Sequence, residues 1–438
     1  MDISVLTLFP ELYTPFINTS LIGRARERQL VNIHLQDFFS LCAPKERLDS
    51  PTYGPGAGMV LKPTIVEQAI QRQEQHHGTA YKIFFSPHGK KLDQQQLQRL
   101  ATRAQDKKHL MLVCARYEGM DARVEDYYAD EIISIGDYVL MGGDLPALVT
   151  LEGLLRYVPG VIGKEESVRS DSFTGPLVDY PEYTDPLEWH GMSVPDIVRS
   201  GNHAAIANWR REQAIRRTLI YHFDWLRTHQ LSPSLLNEVM AAVPPHYAVL
   251  MHDQVMLKEG RVGTSSITSI DIHDIARSAL TYGLKNYFLV TSLEDQTKIA
   301  QTLIDFWLNE GKEYNIHRHE ALKRVHLASS LEHVCTTIEQ ETGKKPLLLA
   351  TSAQEQTQKP TITYHDQGVV WRHNRPVILI FGTASGLSHQ LLAQCDYVLE
   401  PLQGLSTFNH LSVRSAAATV FDRWLGLNPQ TSTNYVTP

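Results

Sequence analysis

The sequence predicts an α/β protein built on parallel sheets, and three observations carry that reading. Short unbroken apolar runs alternate with amphipathic helical patterns along both halves of the 438-residue chain, the order that βαβ units require. Several runs end in loops of small or polar residues, at 86–87, 115–119, 135–143 and 382–387. In open α/β sheets, ligands sit outside such carboxyl ends. The composition is globular, 42% hydrophobic and 20% charged, and the length suits about two or three domains.

Composition also excludes several classes. Cys42, Cys114, Cys335 and Cys395 stand far apart without a metal-binding spacing. A disulfide framework and zinc ligation are therefore not expected, and a reducing cytoplasmic location is. The opening MDISVLTLFPELY reads as a first strand, not a signal peptide. No stretch approaches the roughly 18 apolar residues of a membrane span. The net charge of −7 does not mark the whole chain for nucleic acid, and DNA is not an expected partner. Locally the balance reverses. Between 195 and 230 stand Arg199, Arg210, Arg211, Arg216, Arg217 and Arg227, against Asp196, Glu212 and Asp224. Trp209, Tyr221 and Trp225 are interleaved with them. Arginine with aromatics suits phosphate contact and base stacking, although arginine also decorates ordinary helix faces.

Taken in order, Ile3, Val5, Leu6 and Leu8 make a strand ended by Pro10, followed by a helix through Arg24, Arg26 and Arg28 and a strand near 31–35. Residues 50–59, SPTYGPGAGM, lack the GK[ST] ending of a phosphate loop and the third glycine of a dinucleotide fingerprint. They read as a flexible cover or hinge. Pro63 opens a helix, and YKIFFS at 81–86 is a strand ending in Ser86-Pro87. Asp93 caps the next helix, and HLMLVC at 109–114 is a buried strand running into Ala115-Arg116-Tyr117-Glu118-Gly119. The apolar run of Ile132, Ile133 and Ile135 breaks at Gly136, and Gly142-Gly143 precede a helix over 145–157 that carries Arg156 near its end. Alone, such glycines do no more than end a strand and start a helix. Three matching strand ends make a shared ligand site the economical account. Residues 163–186 then form a long aperiodic connector with Asp171 between two serines. Connectors of this length inside a compact domain tend to be functional or disordered. Asp171 is a candidate base, with a local side-chain turn as the plainer account.

The strings RYEG (116–119), SIGDYVLMGGDLPA (134–147), DSF (171–173), DYPEYTDP (179–186) and SGNHAAIANWR (200–210), with GPGAGM and SPHGKKLD, resemble the bacterial tRNA (guanine-37-N1) methyltransferases, the TrmD family. The resemblance covers about the first half. It implies a SPOUT-type sheet ending in a trefoil knot, an exception to the rule against threaded loops, and a homodimer acting on tRNA. It implies S-adenosylmethionine at Ser86, Pro87, Ala115, Tyr117, Glu118, Ser134, Ile135, Gly136, Asp137, Tyr138, Val139, Leu140, Gly142, Gly143 and Pro146. Magnesium is implicated in the family, and no residue here is singled out as its ligand. Ala115 stands where the family commonly has glycine. Asp171 would be the general base for guanine N1, Arg156 would stabilise charge on O6, and Arg199, His203, Trp209 and Arg210 would meet the anticodon loop.

Pro244-Pro245 mark the start of a second α/β stretch. Buried strands PLLLAT (346–351) and PVILIF (376–381), a further strand at 397–400, and a last helix over 411–425 capped by Asn409 are expected. FGTASGL with LEPLQGLSTFNHLSVRSAAA is similar to a second SPOUT-type RNA methyltransferase domain. By that resemblance Thr351, Ser352, Phe381, Gly382, Thr383, Gly386, Leu399, Glu400, Leu402, Asn409, Leu411 and Ser412 line a second cofactor pocket. The expected division is 1–162 methyltransferase, 163–243 connector and helical tRNA-binding part, and 244–438 second SPOUT-like domain. The competing reading is an RNA-binding or cofactor-sensing protein with decayed catalysis, motivated by Ala115.

Overall fold

The computed structural model describes residues 1–55, 58–163, 171–355 and 359–429. Gly56 and Ala57 of the glycine–proline loop, and 164–170 of the long connector, lie outside the described residues. The chain divides into two compact units, Met1–Thr174 and Gly175–Pro438.

In the first unit, β1 (Asp2–Thr7), β2 (Asn32–Asp37), β5 (Tyr81–Lys91), β6 (His109–Val113) and β7 (Glu131–Ser134) form a sheet in the order β2-β1-β6-β5-β7, while β3 (Asp49–Pro51) and β4 (Met59–Leu61) pair as an antiparallel ribbon. Every pairing in the five-stranded sheet is parallel. Successive residues of β1 and β6 point to opposite faces, and both faces are covered. Ile3, Val5, Leu110 and Leu112 pack on one side with Leu100 and Leu151, from the helices Gln94–Lys107 and Asp144–Leu155. Leu6, Met111 and Val113 pack on the other with Ile65, Ala69 and Ile70 of the helix Pro63–His77. That double covering is why the strands read as unbroken apolar runs. Asp93 caps its helix as expected, accepting from the Gln96 amide at 2.7 Å. β5 runs further than its apolar run, because its register on β7 shifts between Phe85 and Lys90. Ser86 and Pro87 therefore stand out of the sheet at the carboxyl end of the apolar stretch.

In the second unit, β8 (Glu188–Trp189) and β9 (Met192–Ser193) make a short ribbon ahead of the helices His203–Tyr221, Phe223–Arg227 and Pro233–Ala242. Then come β10 (His246–Met251), the ribbon of β11 (Val255–Met256) and β12 (Val262–Gly263), β13 (Asn286–Val290), β14 (Val325–Ala328), β15 (Leu347–Ala350), β16 (Thr361–Ile362), β17 (Val377–Gly382) and β18 (Tyr397–Leu399). The sheet order is β14-β13-β10-β17-β15-β18-β16. Setting aside β14 and β16 at its edges, the order by chain position is second, first, fourth, third, fifth, the same as in the first unit. The helices before Pro244 share this unit's core: Ile215, Leu219, Phe223, Leu235 and Val239 pack in one cluster with Tyr287, Trp371 and Trp424.

Two local readings are corrected. Arg227 is not surface charge. It is 8% exposed, and its guanidinium donates to the carbonyls of Asp422, Arg423 and Gly426 at 2.8–2.9 Å, closing the end of the last helix. That helix, Val413–Leu425, is capped by Ser412, which accepts from the Ser415 amide, and not by Asn409, whose side chain donates to the Ala353 carbonyl at 3.0 Å.

His246 fixes the protonation of this core. Its Nδ1 bonds the Pro244 carbonyl at 2.6 Å, so Nε2 is left to accept from the indole N–H groups of Trp424 at 3.0 Å and Trp371 at 3.2 Å. Both bonds need the neutral ring. Burial pushes its pKa down to about 4, against the opposing pull of the Pro244 carbonyl. An unfolded histidine takes a proton near pH 6.5. The stabilisation is therefore complete above that pH and lost as pH falls through about 4, a change of up to about 3 kcal/mol. Denaturant unfolding followed by tryptophan fluorescence should show it, since all six tryptophans lie in this unit. Equal stability at pH 7 and pH 4.5 would contradict the assignment.

Candidate cofactor cavity and catalytic pair

The carboxyl ends of β5, β6 and β7 surround a cavity of about 380 Å³, within the range of small-molecule sites. Of the residues expected to hold a cofactor in the first unit, all line it except Asp137, whose carboxylate pairs with Lys91 at 2.6 Å. Arg116 and Gly119, from the strand-end loop expected at the shared site, line it as well, and so do Phe85, Met120, Ala122, Glu125 and Ile133, which were not singled out. Arg116 was within reach of sequence reasoning, because it stands inside the RYEG string. Glu125 carries no such mark. Burial raises its pKa, countered in part by His88.

The glycine loop is closed by contact with β6. Gly143 N–H donates to the Ala115 carbonyl at 2.8 Å, and Arg116 bridges Gly142. A Cβ on Gly142 would lie 2.4 Å from Arg116 Cδ and 2.8 Å from the Ala115 carbonyl oxygen, so only glycine lets the two segments approach this closely. Beneath them Asp144, 1% exposed, accepts from Arg116 Nε at 2.8 Å, Tyr13 Oη at 3.1 Å and the Thr7 hydroxyl. Burial holds the Tyr13 phenol protonated far above its ordinary range, so it remains a donor. Asp144 also opens its helix, where the macrodipole favours an anion. The Arg116 guanidinium lies over the Phe9 ring at 4.6 Å. Tyr117 has φ 61°, a left-handed conformation that costs energy in a non-glycine residue and concentrates at functional sites. Ala115 keeps an ordinary backbone conformation, and its methyl packs with Leu6, Val113 and Met120. The structure gives no backbone reason for glycine there.

Asp171 and Arg156, fifteen residues apart, form an ion pair. The local turn at 171 is made by the backbone, the Asp171 carbonyl accepting from Thr174 N at 3.2 Å. Neither side chain lines the cavity of its own chain. Phe173 is a second left-handed residue, at φ 66°.

Of the residues expected to meet RNA, Arg210 lies over the Tyr180 ring at 4.5 Å and near Glu182 at 3.6 Å, and the Trp209 ring is 6.2 Å from that of Tyr183. Trp209 and Arg210 thus brace the 179–183 segment. Arg199 pairs with Asp196, and His203 is exposed at the start of its helix. The residues expected to form a second cofactor pocket follow the ends of β15, β17 and β18. Thr351 Oγ1 donates to the Ile380 carbonyl at 2.9 Å, Thr383 Oγ1 to the Met251 carbonyl at 3.0 Å, and Glu400 N to the Ile362 carbonyl at 2.9 Å. Gly386 has φ 102°. Phe381 and Leu399 are buried in the core and can offer a ligand only backbone, Leu402 is packed against that core, and Leu411 is exposed.

Residues 1–228 match the family model described as tRNA (Guanine-1)-methyltransferase TrmD, and residues 245–426 match one described as SAM-dependent RNA methyltransferase. A protein of Nitratidesulfovibrio vulgaris named tRNA (guanine-N(1)-)-methyltransferase is 38% identical over 97% of this chain and 99% of its own length. One of the same name from Oleidesulfovibrio alaskensis is 37% identical over the same shares. A third, from Deinococcus radiodurans, is 45% identical over 53% of this chain and 82% of its own length.

Proposed function

The chain belongs to the TrmD family of tRNA (guanine-1)-methyltransferases, and on that premise we propose that it methylates N1 of guanosine 37, with Asp171 as general base and Arg156 at O6. It is an S-adenosylmethionine-dependent tRNA (guanine-N1)-methyltransferase with a second S-adenosylmethionine-dependent RNA methyltransferase domain.

The observation that carries the residue assignment is the Arg156–Asp171 pair. It sets a hydrogen-bond acceptor beside a donor fork. The reacting edge of guanine presents a donor, N1–H, beside an acceptor, O6, so the pair is its complement. Adenine presents the reverse order and is rejected. S-adenosylmethionine supplies a methyl group already activated on a positively charged sulfur. Asp171 takes the N1 proton, and Arg156 holds the negative charge that this pushes onto O6. The cavity loops suit the cofactor: glycine backbone at 142–143, apolar Leu140 and Pro146, and the polar Ser134 and Glu118. Among the described residues no set of three ligating side chains gathers at the cavity, and no step here passes through magnesium.

A homodimer brings the two parts together. Neither member of the pair lines the cavity of its own chain, and Tyr138, Val139, Met141, Leu145 and Val149, on the glycine loop and the helix after it, are at least half exposed. Such an apolar patch suits a second copy. A SPOUT-type knot in the first unit belongs to the same proposal. After β7 the chain returns to the end of β6, on the far side of β5, through Gly143 and Ala115. The repeated strand order supports a second cofactor pocket beyond β15, β17 and β18. We assign 1–162 to the methyltransferase domain, 163–243 to the connector that carries Asp171 and the helical tRNA-contact part, and 244–438 to the second methyltransferase-like part, in the cytoplasm.

The test is transfer of labelled methyl groups to unmodified tRNA carrying guanosines at 36 and 37. N1-methylguanosine at 37 is expected, and label on another atom or position overturns the assignment. Phosphate contacts through residues such as Arg217 should make tRNA affinity fall by about tenfold or more between 50 and 200 mM salt. A flat filter-binding response would exclude an electrostatic interface.

A further inference from the structure

At the end of the first sheet opposite the cavity, β1, β2 and the helix Pro63–His77 bring three ligating side chains together. Asp2 Oδ1 lies 2.9 Å from His34 Nε2. The His34 ring lies on that of His77, with centroids 3.7 Å apart and planes 17° apart. One ligating atom from each of the three lies within 4.8 Å of the others.

We propose that Asp2, His34 and His77 bind one divalent transition-metal ion, with Zn2+ the ion they suit best. Two imidazoles and a carboxylate are ligands Zn2+ accepts, and they leave a fourth position for water. The surroundings favour a cation independently of the ligands. His77 is the last residue of a 15-residue helix, whose terminal carbonyls attract positive charge. Asn32 Nδ2 donates to Asp2 Oδ1 at 3.2 Å, the kind of outer support that orients a ligating carboxylate. His109 backs the site edge-on to His77, its own nitrogens engaged by the Gly78 carbonyl at 2.7 Å and the Ser4 hydroxyl at 2.8 Å.

Stacked rings cannot both aim at one ion, so binding exchanges the His34–His77 stack for coordination. β2 is the edge of its sheet, and an ion here ties that edge to β1 and to the helix. The site stands at the amino ends of the strands and the cavity at their carboxyl ends. The ion is therefore structural, and this inference does not depend on the methyl-transfer reading.

The test uses the full-length protein, stripped with EDTA and titrated with ZnCl2 by calorimetry, with Co2+ absorption as a check on coordination. One equivalent should bind and raise the melting temperature. The His34→Ala, His77→Ala double variant should lose that equivalent, with affinity at the site down by about tenfold or more. A folded double variant that binds as many equivalents as tightly as the parent overturns the proposal, and so does a parent that binds none. If the double variant does not fold, Asp2→Asn decides the matter, because it keeps the shape and loses the charge. Undiminished affinity in that variant overturns the proposal equally.

Discussion

Replacing Asp171 with asparagine is expected to slow methyl transfer by about 10²–10⁴-fold, the usual weight of a positioned general base, while cofactor affinity stays near that of the parent. Asparagine keeps the size of the side chain and can still accept a hydrogen bond from Arg156, so it removes the proton acceptor with little else. The pair is partly exposed, at 41% for Arg156 and 27% for Asp171. Breaking it should therefore cost little stability, and the loss reports on chemistry. Asp171 does not line the cavity of its own chain, which is why cofactor binding is expected to survive. Single-turnover transfer with saturating cofactor measures the effect. A rate within a few fold of the parent would remove Asp171 from the role of base.

The second large effect is expected at Asp144. Asp144→Ala leaves the Arg116 guanidinium, the Tyr13 phenol and the Thr7 hydroxyl without their shared acceptor at a site 1% exposed. Losing one side of a buried pair costs about 3–5 kcal/mol. The loss should fall on the first unit. Arg116 also reaches the Met141 carbonyl at 3.5 Å, so the glycine loop loses its anchor and cofactor affinity should drop with stability. Asp144→Asn, which can still accept a hydrogen bond, should fall between. Thermal unfolding by circular dichroism, paired with cofactor titration, reads both effects. Tryptophan fluorescence is unsuitable because the first unit contains no tryptophan. Parent-like stability in the alanine variant would mean that Thr7, Tyr13 and Arg116 find other partners.

These two residues show what could and could not be read from the sequence. Asp171 was legible as a candidate base in a long aperiodic connector, and the family resemblance added guanine N1 as its target. Asp144 was legible only as the residue just ahead of a helix expected from 145, because Tyr13 and Thr7, far away in sequence, decide what it does. The strands were plain wherever both faces of a sheet are covered, as in β1, β6 and β17, since burial on both sides forces unbroken apolar runs. β5 was read too short, because its last residues pair with β7 after a register shift that no hydrophobic period encodes. Arg227 was read as charge for RNA. Only the fold places the end of the last helix over its guanidinium. Asp2, His34 and His77 have no motif spacing, and their meeting depends on β1, β2 and a helix end arriving at one corner.

The central claim is that one copy's Asp171 serves a cofactor loop on the other copy. Co-expression of an Asp171→Ala chain with a Gly142→Val chain tests it most directly, with each variant first shown to be inactive alone. Random pairing makes about half the dimers mixed, each with one intact composite site of two, so about a quarter of wild-type methyl transfer should return. Activity no higher than that of either inactive parent, from dimers shown to be mixed, would contradict the shared site.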